Sequence, residues 1–278
     1  MSFKDILVHV DSTPASGVRL RLGLALARRF GARLSGLHVL PDPDVPPYFK
    51  PSAVERIAKI YRESAREAAS LAEAGFHAAI MGADVETAWN SVAGDMAQQL
   101  AERARFADLL LLGQSDTENP PSLSAFSIPQ KVVIDAGTPI LVVPTRGAFD
   151  TTGRHVLVTW DGSREAARAV RDAMPFLQAA EHVSLLAVDP ERQGHIHPTA
   201  NAGELAAHLA RHGVATDPTT IASAEESVAD VLLANTRKLG ADLLVMGGYG
   251  HPRLLELVLG GTTQALLEAM AVPILVSH

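Results

Sequence analysis

The sequence predicts an α/β protein made of two tandem copies of an open, parallel five-stranded sheet with helices on both faces. Three observations predict it. First, the chain repeats itself. Lys4–Asp11 resembles Arg154–Asp161 at an offset of 150 residues, while Ala107–Gly113 and Thr138–Val142 resemble Ala241–Gly247 and Val272–Val276 at an offset of 134. A repeat this long is two copies of one domain, not a solenoid. Second, strand-like and helix-like runs alternate within each copy. Third, the strand-like runs are continuous Val, Leu and Ile, which suits a parallel sheet buried on both faces.

The elements follow in order. Ile6–Val10 is a short apolar run that ends at Asp11. Pro14–Phe30 shows helical spacing of Val18, Leu22, Ala25 and Leu26, with Gly31 as its C-terminal cap. Leu34–Leu40 is a second strand. Pro41–Pro51 holds five prolines, so it forms a rigid loop. Ser52–Ala74 is amphipathic and helical, stopped by Gly75; residues 76–85 form a third strand and Ser91–Arg105 a helix. Leu109–Leu112 and Ile140–Val143 complete the first copy. Right-handed crossovers then bring the strand C-termini, and any ligand crevice, to one edge. The polar stretch Thr145–Gly153 is the expected boundary, dividing the chain into residues 1–148 and 149–278.

Composition narrows the function. At 278 residues the chain fits two modest domains, and 47% hydrophobic with 20% charged residues is ordinary globular usage. The absence of cysteine excludes a disulfide scaffold, a thiolate metal site and a cysteine nucleophile. Net charge is −7, with 15 basic and 16 acidic residues in 1–148 against 9 and 15 in 149–278. Neither half has the basic surplus of a nucleic-acid binder. With no signal-peptide pattern and no apolar run near the ~20 residues that cross a bilayer, a soluble, cytoplasmic protein without membrane contact is expected.

The most informative stretch is Gly247-Gly248-Tyr249-Gly250-His251-Pro252-Arg253, then Leu254–Leu259, then Gly260-Gly261-Thr262-Thr263, before a helix over Gln264–Met270. A glycine-rich loop leading from a strand into a helix N-terminus presents outward N–H groups, a natural receptor for phosphate oxygens. The half that carries it is acidic, so attraction must come from these dipoles, with His251, Arg253 and a divalent cation such as Mg2+ as candidate helpers. At the 134-residue offset, Gly247 matches Gly113, but Gly250, Gly260 and Gly261 match Asp116, Phe126 and Ser127. Turn geometry alone would have kept glycines in both copies, so one copy is expected to bind and the other not.

The spacing Gly247-x2-Gly250-x9-Gly260, the Asp ending the first strand and the Pro-Ile-Leu-Val last strand resemble the universal stress proteins over nearly the whole chain. The resemblance implies two Rossmann-like domains that bind adenine nucleotide, with ATP as the cofactor. It implies that Asp161 contacts ribose or adenine, that the Val188 backbone contacts adenine, and that Gly247, Gly250 and Gly260 line the phosphates. The family usually has Ser or Thr directly after the last glycine. Here Gly261 stands there, leaving Thr262 or Thr263 to supply a hydroxyl. The resemblance also implies antiparallel pairing of the two final strands, making each chain a pseudo-two-fold dimer; further homodimerisation is left open. Trp160 reads as a core aromatic and Asp11 as a helix cap, giving one nucleotide per chain.

Other candidates are weaker. His195, His197, His208 and His212 lie near one another in sequence, but no Asp, Glu or Cys completes a zinc pattern. No nucleophile elbow or P-loop lysine is present, and Lys238 falls on a helix away from the glycine loop. Catalysis is therefore at most slow ATP hydrolysis aided by His251 or Arg253. Three readings stay open: an ATP-binding regulatory stress-response module acting on an unidentified protein partner, an interaction protein without nucleotide that packs Leu254–Leu259 on its partner, and a slow ATPase.

Overall fold

The computed structural model describes residues 2–41, 51–115, 128–188, 202–221, 226–248 and 261–278. The first copy contains β1 (Asp5–His9), α1 (Pro14–Phe30), β2 (Arg33–Leu40), α2 (Pro51–Ile80), β3 (Thr87–Ala93), α3 (Met96–Ala104), β4 (Leu109–Gly113), α4 (Ile128–Ala136) and β5 (Ile140–Val143). The second contains β6 (His155–Thr159), α5 (Arg164–Asp172), α6 (Met174–Ala179), β7 (His182–Val188), α7 (Ala202–Arg211), β8 (Asp217–Ile221), α8 (Val228–Lys238), β9 (Leu243–Gly247), α9 (Gly261–Ala269) and β10 (Ile274–Ser277).

The strands form one ten-stranded sheet in the order β3-β2-β1-β4-β5-β10-β9-β6-β7-β8. Pairing is parallel within each copy. At the centre β10 meets β5 antiparallel, with Ile274, Leu275 and Val276 opposite Val142, Leu141 and Ile140. Each half therefore has the order 3-2-1-4-5, whose direction of winding reverses between its first and fourth strands. Successive strand residues feed opposite cores. Ile6, Val8, Leu109, Leu111, Val156 and Val158 pack with α1, α2, α5, α6 and α7 on one face. Leu7, Leu110, Leu157 and Leu244 pack with α3, α4, α8 and α9 on the other.

The halves are joined beyond the sheet. Phe3, Phe30 and Phe176 form a ring cluster with centroid separations of 5.1–5.4 Å. Arg29, at the end of α1, donates to the carbonyls of Thr152, Gly153 and Ala179. Gln114 donates to Leu267 and Glu268 carbonyls at 2.9 Å, and Arg168 donates to that of Gly137.

Several elements differ from the sequence expectation. The α2 helix does not stop at Gly75 but runs to Ile80, because Phe76 continues the buried stripe of Ala72 while Gly75 itself faces open space. Gly82, at φ 71°, follows its end. The third strand accordingly lies at 87–93, not 76–85. It is an edge strand with mostly half-buried or exposed residues, so it lacks the apolar run that marks its neighbours. The next helix begins at Met96 rather than Ser91, where Asp95 caps it by accepting from Gln98 N–H. Pro51 opens α2, and residues 42–50 of the proline-rich stretch lie outside the described residues. Gly31 does close α1, in the left-handed conformation at φ 62°.

Phe176 is fully buried among rings from both halves. Phe176→Ala is expected to lower unfolding free energy by about 3–5 kcal/mol, measured by urea denaturation.

Candidate functional site

In parallel sheets ligands gather at the strand C-termini, where the winding reverses. In the second half this point lies between β6 and β9. Thr159 is level with Leu186, and Val158 with Val245. Two residues further along, the same registers put Asp161 level with Val188 and Trp160 level with Gly247. Three of the residues expected from sequence thus reach one edge. The first turn of α9, beginning at Gly261, also belongs to this half, and it starts three residues earlier than expected. Thr262 is exposed in that turn, whereas Thr263 is buried, which leaves Thr262 as the accessible hydroxyl. Gly250, His251, Arg253 and Gly260, with Leu254–Leu259, lie outside the described residues.

The carboxylate of Asp161 is exposed. Its Oδ1 accepts from Ser163 N–H at 2.9 Å, and Ser163 in turn caps α5 by accepting from Ala166 N–H. Because Ser163 satisfies the helix terminus, Asp161 is not consumed by capping. Among the described residues, no cation pairs with it. Gly247 has a packing reason to lack a side chain, since a Cβ there would collide with the Glu165–Ala166 backbone of α5. Close approach of the α5 backbone therefore explains the glycine at Gly247, whereas at Gly113 a Cβ would meet the Arg19 side chain instead. Trp160 is half-buried against the core, as expected, but its buried Nε1–H has no hydrogen-bond partner. Ser277 Oγ, one strand over from Gly247, is likewise buried and unpartnered.

The equivalent point of the first half is filled. Asp11 does not cap α1, contrary to expectation: the N-cap residue is Thr13, and no side chain caps the helix. Asp11 instead accepts from Thr13 N–H and Oγ–H and pairs with Arg19 Nη2 at 2.5 Å. Arg19 is 3% exposed and also donates from Nε to His9 carbonyl at 3.1 Å. A Cβ on Gly113 would strike its guanidinium. His38 Nδ1 binds Val10 carbonyl at 2.8 Å beside this group. Burial acts to raise the Asp11 carboxyl, but Arg19, with His9 and the Thr13 bonds, outweighs it and holds the group below the ordinary carboxylate value. Sequence reading missed Arg19, His9 and His38. Their signal was present at the repeat offset, where Ala169 and Thr159 match Arg19 and His9.

His208 on α7 and His212 just past its end meet edge to face with ring centroids 4.8 Å apart, while His195 and His197 lie outside the described residues. Lys238 sits in the last turn of α8. Among the described residues, no helix is long and apolar enough to cross a membrane.

Burial, followed by the Arg19 charge, pushes the His9 imidazole down to about 3. Below its unfolded value near 6.5 only the unfolded chain takes up this proton, so its contribution to stability falls as pH drops from 6.5 toward 3. Between pH 6.5 and 5 this group alone is expected to cost about 2 kcal/mol. His9→Thr, copying Thr159, should flatten the pH dependence by that amount in denaturant titrations at the two pH values.

The universal stress protein family model matches residues 2–144 and again 153–278. Among solved structures, a universal stress protein from Archaeoglobus fulgidus DSM 4304 aligns with a TM-score of 0.70 at 16% identity, covering 98% of this chain and 95% of that one. A functionally unknown protein from Pseudomonas aeruginosa PAO1 aligns with a TM-score of 0.58 at 17% identity, covering 99% and 92%. Comparison with curated protein sequences gives no match. At these identities the structural likeness speaks to fold, and the two consecutive family matches speak to descent: the chain belongs to the universal stress protein family, as two tandem copies.

Proposed function

We propose that the chain is a cytoplasmic regulatory module of the stress response that binds one adenine nucleotide, ATP, in its C-terminal half, residues 149–278. The observation that carries this reading is the difference between two matched carboxylates. Asp11 is locked to Arg19, whereas Asp161 stands exposed at the point where the winding of its sheet reverses. A free carboxylate in that position suits a ribose hydroxyl, and the adjoining strand-end backbone of Val188 suits the adenine edge. Gly247, Gly250, Gly260 and Gly261, with Thr262 and the α9 N-terminus, supply N–H and hydroxyl donors for the phosphates. His251 and Arg253 add positive charge when Mg2+-ATP is bound.

The unpartnered Trp160 Nε1–H and Ser277 Oγ fit this reading, since buried polar atoms in native proteins ordinarily have a partner. Trp160 and Ser277 flank the same strand ends. Occupancy of the nucleotide site is the signal passed to a protein partner. No activated nucleophile or phosphate-clamping lysine accompanies the site, so the role proposed is binding rather than turnover.

Gly250→Asp, which copies the first half, is expected to weaken ATP binding about tenfold or more, equivalent to about 1.4 kcal/mol or more, by isothermal titration. Unaltered affinity excludes this loop as the phosphate cradle. Mass spectrometry of the small molecules released on denaturing gently purified protein identifies the nucleotide.

A further inference from the structure

We propose that the N-terminal crevice is a latent adenine-nucleotide site held shut by the Arg19 side chain, and weaker than its C-terminal counterpart because Asp116, Phe126 and Ser127 stand where Gly250, Gly260 and Gly261 do. The proposal rests on the reading of the C-terminal crevice given above. Helices α1 and α5 begin at matched positions, Pro14 and Arg164, and Arg19 and Ala169 occupy the same place along them. The Arg19 guanidinium spans the point between β1 and β4 where the winding reverses. It holds Asp11 on one side, takes the His9 carbonyl, and lies against Gly113 on the other. Ala169, buried at 1% exposure, has no side chain that reaches Asp161 or Gly247.

The groups beneath the plug are retained. Asp11 corresponds to Asp161, and Gly113 to Gly247. Counted along β2 and β7 from the paired residues Arg33 and His182, Val39 corresponds to Val188. The internal guanidinium thus satisfies the carboxylate that a ribose would otherwise meet. It also closes the space by bulk. The Asp11 side chain is 27% exposed, so removing Arg19 releases it to water instead of stranding it in the core.

The test is a count of ATP equivalents per chain by isothermal titration, for full-length protein and two exchanges. Arg19→Ala, which copies the second half, is expected to add one equivalent to the wild-type count, at an affinity about tenfold or more below the existing site. Ala169→Arg, which copies the first, is expected to remove the existing one. An Arg19→Ala protein that melts cooperatively and binds the same number of equivalents as wild type overturns the proposal and moves the block to Asp116 and Phe126. If Arg19→Ala does not fold, Ala169→Arg decides: full retention of ATP binding overturns it. A wild-type protein that binds none while Arg19→Ala binds one overturns the C-terminal reading and leaves the plug standing.

Discussion

The antiparallel pairing of β5 with β10 is the constraint on which the architecture depends. A parallel five-stranded sheet ends in an edge whose N–H and C=O groups seek a partner, and Ile140–Val143 and Ile274–Val276 are wholly apolar edges of that kind. Each satisfies the other, so two sheets become one and both cores run across the seam. The phenylalanine cluster, Arg29 and Gln114 then fix the angle between halves that the strand ladder has already joined. Because the join is two-fold, the two crevices hold equivalent places in the sheet.

Much of this was legible in the sequence because it depends on patterns of hydrophobicity that repeat. The inner strands are uninterrupted apolar runs, and the two landmark offsets align the copies. The failures have a common physical cause. β3 is an edge strand without such a run, and Gly75, on an exposed helix face, carries no stop signal that packing does not override. The candidate edge was legible as far as it depended on strand ends: by register Asp161 comes level with Val188 and its neighbour Trp160 with Gly247. What sequence reasoning did not provide was the state of Asp11. A carboxylate that caps a helix and one that pairs with an arginine two turns away are indistinguishable until the fold brings Arg19 across Gly113.

That contrast leaves a duplicated protein with two similar strand-end crevices in unequal electrostatic states. The first half has turned its polarity inward: Asp11, Arg19 and His38 bond one another or the main chain beside the buried His9, where the second half has Asp161, Ala169, Ala187 and Thr159. Inward-turned charge of this kind is sensitive to loss of Asp11, which leaves Arg19 buried without its carboxylate, whereas Asp11 itself reaches water. The second half leaves its charge outward.

The seam also makes the duplication hard to undo. Either copy released on its own would present a run of aliphatic residues, Ile140–Val143 or Ile274–Val276, along an unprotected ladder, inviting cross-chain stacking. The outermost strands carry no such hazard, since β8 reads Asp217-Pro218-Thr219-Thr220-Ile221, with a proline and mostly polar side chains. A chain cut to one half would therefore need a second copy to cover that edge, so the duplication carries within one molecule a partner that a lone half must find by diffusion.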